Sequence, residues 1–355
     1  MPEVAMDERL LIYGATGYTG RLISRAAARA VMPAVLCGRN EQKLRSLASE
    51  LALEFRVART QDSQSLDTAL QGIRVVLNAA GPFGFTAPPL IDACLRRGAH
   101  YLDVTAEAAV MEAASRSDRD AKARKVMVMP AVGFDVVPSD CLARHVASRC
   151  GNPRRLFVGI SGLELMTPGS AKTIINDVGE AIWVRRGGVL ERVPPGALER
   201  TFDFGVGPRR SVAVTWGDVV GAYYSTGIPD ITIYFEATPA VSMHTALVQA
   251  LGWAVPLTPW RELLKVGAEL LPEGPSEGER LRRRAVIVAE VEDGNGQIWR
   301  SRMKTPEAYT MTAATSTTVA GRVLAGDFEP GFQTPARVYG ADFPLTLATV
   351  EREDL

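Results

Sequence analysis

At 355 residues the chain is longer than one hydrophobic core usually serves, so two domains are expected. Apolar residues make up 46% and charged residues 23%, an ordinary globular composition, and 40 basic residues balance 40 acidic ones. That balance leaves no long-range field to recruit nucleic acid or an anionic membrane. The four cysteines show no paired spacing, and His100, His145 and His244 stand far apart, so neither a disulfide framework nor a metal site is expected. Met1–Asp7 has no basic stretch leading into an apolar run, which points to a cytoplasmic location.

The first half alternates short apolar runs with helical patterns. Strands are expected at Arg9–Tyr13, Ala34–Cys37, Phe55–Ala58, Val75–Leu77, Tyr101–Asp103 and Val126–Met129. Helices are expected at Gly17–Ala30, Glu41–Leu53, Ser63–Leu70, Pro89–Arg97 and Val110–Arg124. Strands separated by single helices imply right-handed crossovers and a parallel sheet. The second half changes character, with longer, partly antiparallel strands at Phe157–Leu163, Ser211–Thr215, Ile231–Phe235, Ala285–Val291 and Ile298–Met303. Asp293-Gly294-Asn295-Gly296 reads as the hairpin turn between the last two. Thr305–Leu324 reads as a helix with Pro306 in its first turn.

The sharpest motif is GATGYTG, formed by Gly14, Ala15, Thr16, Gly17, Tyr18, Thr19 and Gly20 between the first strand and first helix. Gly14 permits the tight turn, Gly17 lets backbone N–H groups approach a pyrophosphate, and Gly20 permits close helix–strand packing. The following helix offers its N-terminal N–H groups to phosphate. The second strand ends in Gly38-Arg39-Asn40, without the acid that binds the ribose hydroxyl of NAD. Arg39 is suited to a 2′-phosphate instead, so NADP(H) is the expected cofactor. Asn78, Ala79, Ala80, Gly81 and Pro82 close the fourth strand, where small residues let the nicotinamide-side ribose approach the backbone.

Three residues are candidates for the chemistry. Asp135, between Phe134 and Val136, is a carboxylate that partial burial would raise into the range of a proton donor or substrate anchor. Tyr101 shares a strand face with Asp103 and could polarise a substrate carbonyl or imine, or equally bond across a crevice. Lys172 could meet an anionic substrate group, or simply be a solvated helix residue. Ser139 and Asp140 suit helix capping at least as well as catalysis. Cys141 and His145, four apart, could face each other, although a buried thiol is the commoner arrangement. No tyrosine is followed four residues later by lysine, which argues against a short-chain dehydrogenase.

GATGYTG (14–20), CGRN (37–40), NAAGPF (78–83), YLDVTAE (101–107) and VGFDVVPSD (132–140) together resemble the saccharopine dehydrogenase-like reductases. Looser likenesses follow at WGDV (216–219), STGIP (225–229), GPSEGERL (274–281), PEAYTMTA (306–313) and GFQTPA (331–336). That group includes mycobacterial trans-acting enoyl reductases and usually has glycine where this chain has Ala106. The resemblance implies an α/β protein: a Rossmann doubly wound parallel sheet, then an α+β domain with a mixed sheet. The expected bounds are 1–145 with a C-terminal return at about 325–355 for the first, and 146–324 for a substrate or dimerisation domain.

The expected activity is hydride transfer from NADPH to a polarised double bond of a small-molecule or acyl-type substrate. An enoyl C=C bond is favoured because 241–271 is strongly apolar, as an acyl chain would want. That stretch has too many polar interruptions for an integral membrane span; it is either core packing or a lid, a homodimer contact or a peripheral membrane contact. An imine, opine or ketone reductase is the alternative, with Lys172, Arg185, Arg186, Arg209 and Arg210 available to clamp carboxylates. A non-catalytic NADP-binding sensor or assembly protein is a further one.

Overall fold

The computed structural model describes residues 8–163, 167, 181–239, 241–242 and 273–355. Lys172 and nearly all of the 241–271 segment lie outside them. The chain divides into two compact units, the first comprising residues up to Val137 and Tyr309–Val338. Its sheet contains β1 (Leu10–Tyr13), β2 (Ala34–Gly38), β3 (Glu54–Val57), β4 (Val75–Asn78), β5 (His100–Asp103), β6 (Met127–Met129) and β15 (Gly331–Phe332). Every pairing is parallel, in the order β15-β6-β5-β4-β1-β2-β3. This is the doubly wound Rossmann order, and β1, β2, β4 and β5 are buried along their whole length.

The crossovers are α1 (Tyr18–Arg29), α2 (Glu41–Leu51), α3 (Ser63–Ala69), α4 (Phe83–Arg97), α5 (Ala108–Ser115) and α6 (Asp118–Ala123). α4 starts six residues before the expected Pro89 and carries Pro88 and Pro89 inside it. A carboxylate from elsewhere makes this start possible: Glu107 accepts from Phe83 N at 2.9 Å and Gly84 N at 3.1 Å.

The second unit, Pro138–Ala308 with Tyr339–Leu355, holds a mixed sheet. It contains β7 (Pro153–Ser161), β8 (Ile182–Arg186), β9 (Val189–Val193), β10 (Glu199–Asp203), β11 (Pro208–Val214), β12 (Asp230–Glu236), β13 (Arg284–Asp293), β14 (Ile298–Pro306) and β16 (Glu351–Asp354). The main path runs β10-β11-β12-β7-β13-β14-β16, with β8 on β12 and β9 on β8. Among the described strands of this sheet, only β12 and β7 pair in parallel. The expected turn at Asp293–Gly296 joins β13 to β14, with Asp293 Oδ1 accepting from Asn295 N and Gln297 N. Gly187 and Gly188, both at positive φ, turn a second hairpin that the charged residues of β8 and β9 obscured in the sequence. The helices of this unit are α7 (Val137–Ser148), α8 (Asp218–Thr226) and α9 (Glu277–Arg282).

Three expectations are corrected here. The return to the first unit is made by α10 (Ala308–Leu324), β15 and α11 (Pro335–Tyr339), so it starts before residue 325 and stops at Val338, short of 355. The chain's end goes the other way, since β16 pairs with β14 in the mixed sheet. Pro306 ends β14 rather than opening a helix, and α7 begins at Val137, so Ser139 and Asp140 lie within its first turn instead of capping it.

Gly159 of β7 lies under an aromatic cluster of Phe202, Phe204 and Tyr234; an added Cβ would stand 2.7 Å from the Phe202 ring. Gly159→Ala should therefore lower stability by about 1–3 kcal/mol through overpacking. Combining it with Phe202→Leu should cost less than the sum of the two single changes in urea unfolding.

Candidate active site

The sheet changes winding direction between β1 and β4, and the two loops leaving those strands meet there. A Cβ on Gly14 (φ +80°) would lie 2.7 Å from Ala80 Cβ and 2.8 Å from Ala80 N. One on Gly20 would lie 2.1 Å from Gly14 O, so both glycines are required by the fold itself. Gly17 is different. It is exposed, has ordinary extended dihedrals, and its Cβ would meet only Gly14 O at 3.4 Å. Internal packing does not require glycine there, whereas close approach of a ligand to the backbone does.

Gly14 N and Ala15 N donate to Cys37 O, and Gly17 N donates to Gly14 O, which fixes the loop. Ala15 is fully buried, while Thr16, Tyr18 and Thr19 are half-buried around the turn. No side chain caps the start of α1 at Gly17. By contrast, Asn40 caps α2 by accepting from Lys43 N, and Asp62 caps α3 by accepting from Ser65 N. Asn40, expected at the cofactor, thus already has a structural task. Arg39 is exposed and forms no ion pair with any described residue. An open helix start, a glycine with no packing reason and an uncommitted guanidinium fit the diphosphate and 2′-phosphate of a dinucleotide.

The loop after β4 is held from below. Asn78 is buried; its Nδ2 donates to Thr86 Oγ1 and Tyr101 Oη, and its Oδ1 accepts from Ala80 N. Thr86 Oγ1 donates to Ala80 O at 2.6 Å. Ala79, Ala80 and Pro82 are half-buried and Gly81 is exposed, so this loop presents small residues at the sheet edge. Tyr101 Oη donates to Asp103 Oδ2 at 2.8 Å. Tyr101 is fully buried, and its hydroxyl is engaged on both sides, so the catalytic contact expected for it is corrected to a positioning role.

Asp103 links this network to the loop after β6. Its Oδ1 accepts from Thr105 N at 3.0 Å and Ala131 N at 2.8 Å, and its own carbonyl accepts from Val132 N. Ala131 has φ +60°, a strained conformation for a side-chain-bearing residue, and the Asp103 bonds hold it there. Burial raises the Asp103 carboxyl to about 6, against the hydrogen bonds that favour its charge. Burial likewise raises Glu107, with the Phe83 and Gly84 N–H groups opposing.

The same loop carries Asp135. Gly133 packs against Thr312 of α10, whose hydroxyl accepts from Phe134 N at 3.0 Å. Asp135 keeps part of its surface open, and desolvation raises its carboxyl to about 7. Tyr309, also on α10, meets Tyr18 edge to face with ring centres 5.1 Å apart. Sequence reading missed Thr86, which ties its own loop to β4, and Thr312 and Tyr309, whose partners lie far along the chain. The Cys141–His145 pairing is not formed. Burial pushes the Cys141 thiol well above its ordinary value, and His145 Nε2 bonds Asp354 at 2.8 Å.

Residues 10–129 match a family model described as the saccharopine dehydrogenase NADP-binding domain. The chain is 28% identical over 151 residues to the human saccharopine dehydrogenase-like oxidoreductase, covering 37% of this chain and 35% of that protein. It is 31% identical over 141 residues to the trans-acting enoyl reductase of Mycobacterium leprae, covering 37% and 33% respectively. The chain thus spans about a third of the length of these curated relatives. Its fold resembles apo saccharopine dehydrogenase (L-Glu forming) from Saccharomyces cerevisiae, with TM-score 0.63 over 98% of this chain and 99% of that one, at 14% identity. No helix among the described residues is long and apolar enough to cross a membrane. Residues 10–129 thus match the saccharopine dehydrogenase NADP-binding domain, and that match supports NADP(H) as the cofactor bound there.

Proposed function

We propose that the protein is an NADPH-dependent oxidoreductase acting on a polarised double bond of an organic substrate, with an enoyl C=C bond favoured. The observation that carries this reading is the crevice where Gly14 meets Ala80, with exposed Gly17 on one side and a loop bearing Asp135 tethered to the same edge through Asp103. NADPH, when bound, supplies the hydride. The chain's own residues hold and orient it: the Gly14–Gly20 loop and the α1 start take the diphosphate, and Arg39 takes the 2′-phosphate. The Asn78–Pro82 loop receives the nicotinamide-side ribose, and Tyr101 and Asp103 fix that loop from beneath. Asp135 holds a proton for the substrate.

An imine or opine substrate would need a carboxylate clamp, and the described arginines named for it are committed elsewhere. Arg185 is buried, donates to Val219 O and Gly188 O, and lies 4.2 Å above the Tyr223 ring. Arg186 donates to Thr232 Oγ1 and Arg210 pairs with Glu199, leaving Arg209 with Glu236 at 4.0 Å. The enoyl preference is further supported by the Mycobacterium leprae relative, named a trans-acting enoyl reductase.

Gly17→Val should abolish NADPH binding in calorimetry while leaving the unfolding midpoint unchanged, because φ −71° suits valine, the position is exposed and the added Cβ meets only Gly14 O. Arg39→Ala should weaken NADPH about tenfold and NADH little, since a charge-assisted pair contributes roughly 1.5–3 kcal/mol. Equal affinities for NADPH and NADH in the parent would remove Arg39 from the site.

The activity itself is tested by NADPH oxidation with 2-enoyl thioesters, cyclic imines and ketones. With Asp135 protonated in the active form, kcat/KM should fall as pH rises through about 7. Asp135→Asn should flatten that limb and lower turnover by roughly 10²–10⁴-fold, with NADPH affinity retained. Tight NADPH binding without turnover of any panel member would favour the non-catalytic sensor.

A further inference from the structure

The end of β3 carries a second cation at the same sheet edge as Arg39. β2 and β3 run parallel with Gly38 opposite Val57, and Ala58 N continues the ladder to Gly38 O at 3.0 Å. Arg39 and Arg59 therefore leave neighbouring strands at the same end of the sheet, just beyond the last paired positions. Both are exposed, and neither forms an ion pair with any described residue.

The backbone beneath Arg59 is well held. Tyr13 Oη donates to Ala58 O, Arg59 N donates to Ser65 Oγ, and Arg59 O accepts from Asp62 N. The charge of Arg39 is felt at the same Tyr13 hydroxyl. The nearby acids are already engaged. Glu41 pairs with Arg45, Glu54 pairs with Arg9 and Arg56, and Asp62 accepts from Ser65 N. Neither guanidinium has an ion-pair partner among the described residues, and both leave the same sheet edge. A phosphate monoester is a dianion that accepts from two such forks at once.

We propose that Arg59 is a second specificity-determining residue, closing with Arg39 on the 2′-phosphate at the adenosine end of NADP(H). This rests on the cofactor reading above and extends it to a strand that the usual NAD/NADP rule does not inspect.

The test is equilibrium binding, without turnover, of NADPH, NADH, adenosine 2′,5′-bisphosphate and 5′-AMP to the parent, Arg39→Ala, Arg59→Ala and Arg59→Lys chains. Arg59→Ala should weaken NADPH and the bisphosphate by about tenfold while leaving NADH and 5′-AMP within twofold. It should also make NADPH binding less sensitive to salt, and Arg59→Lys should restore part of the loss. Loss at Arg39→Ala with no change at Arg59→Ala would overturn the proposal and leave the cofactor reading standing. Equal weakening of NADPH and NADH by Arg59→Ala would overturn it too, placing Arg59 on the adenine or diphosphate. A parent chain that does not bind NADPH would defeat the cofactor reading itself.

Discussion

Gly14 and Ala80 approach so closely that neither loop has room for one further carbon between them. That contact lies where β1 and β4 diverge, the point at which crossovers leave towards opposite halves of the sheet. Close packing there fixes two loops by one another, and interiors packed to crystalline density transmit such constraints with little slack. The glycine loop is further tied to β2 through Cys37 O, and Gly20 lets α1 sit against Gly14 O. With those atoms settled, Gly17 is left outward, with no internal reason to lack a side chain.

The opposite wall depends on buried acids. Asp103 gathers three donors from Tyr101, Thr105 and Ala131, and Glu107 takes two N–H groups at the start of α4. Hydrogen bonds to charged groups contribute about 1.5–3 kcal/mol each, yet the Asp103 carboxyl is still raised to about 6. Desolvation therefore outweighs the bonds. The folded value exceeds the unfolded one, so Asp103 costs stability as pH rises from about 4 through 6, where the unfolded chain has already lost the proton. What the carboxylate secures in return is the position of Ala131 and the loop leading to Asp135.

In the second unit, charge is used for architecture. Glu290, almost fully buried in β13, is held between Arg200 and Arg300, and Arg200 lies 3.7 Å over the Phe157 ring. Arg185 is locked by two carbonyls and an aromatic face. Truncating one member of such a set leaves its partner charged and buried, which is far costlier than losing a surface pair. Arg185 looked like a substrate clamp in the sequence because residue type alone does not reveal whether a carboxylate or a carbonyl is already in reach.

Local pattern determined the parallel sheet, the glycine loop, the Asp293–Gly296 turn and the missing acid at Arg39, because each depends on residues within a few positions of one another. Period, turn chemistry and charge at a helix start are short-range properties, so they can be read without a fold. Tertiary structure alone decided the rest. The start of α4 depends on Glu107, 23 and 24 residues further along; the loop of Asp135 leans on Thr312, and the C-terminal strand turns away from the Rossmann sheet to pair with β14. Tyr101 passed for a catalytic group until burial and two partners made it a tie. Arg59 gained meaning only when the pairing of β2 with β3 brought it to the same sheet edge as Arg39. In each case the deciding partner comes from another element, and which groups desolvate one another is a property of packing that no window of sequence contains.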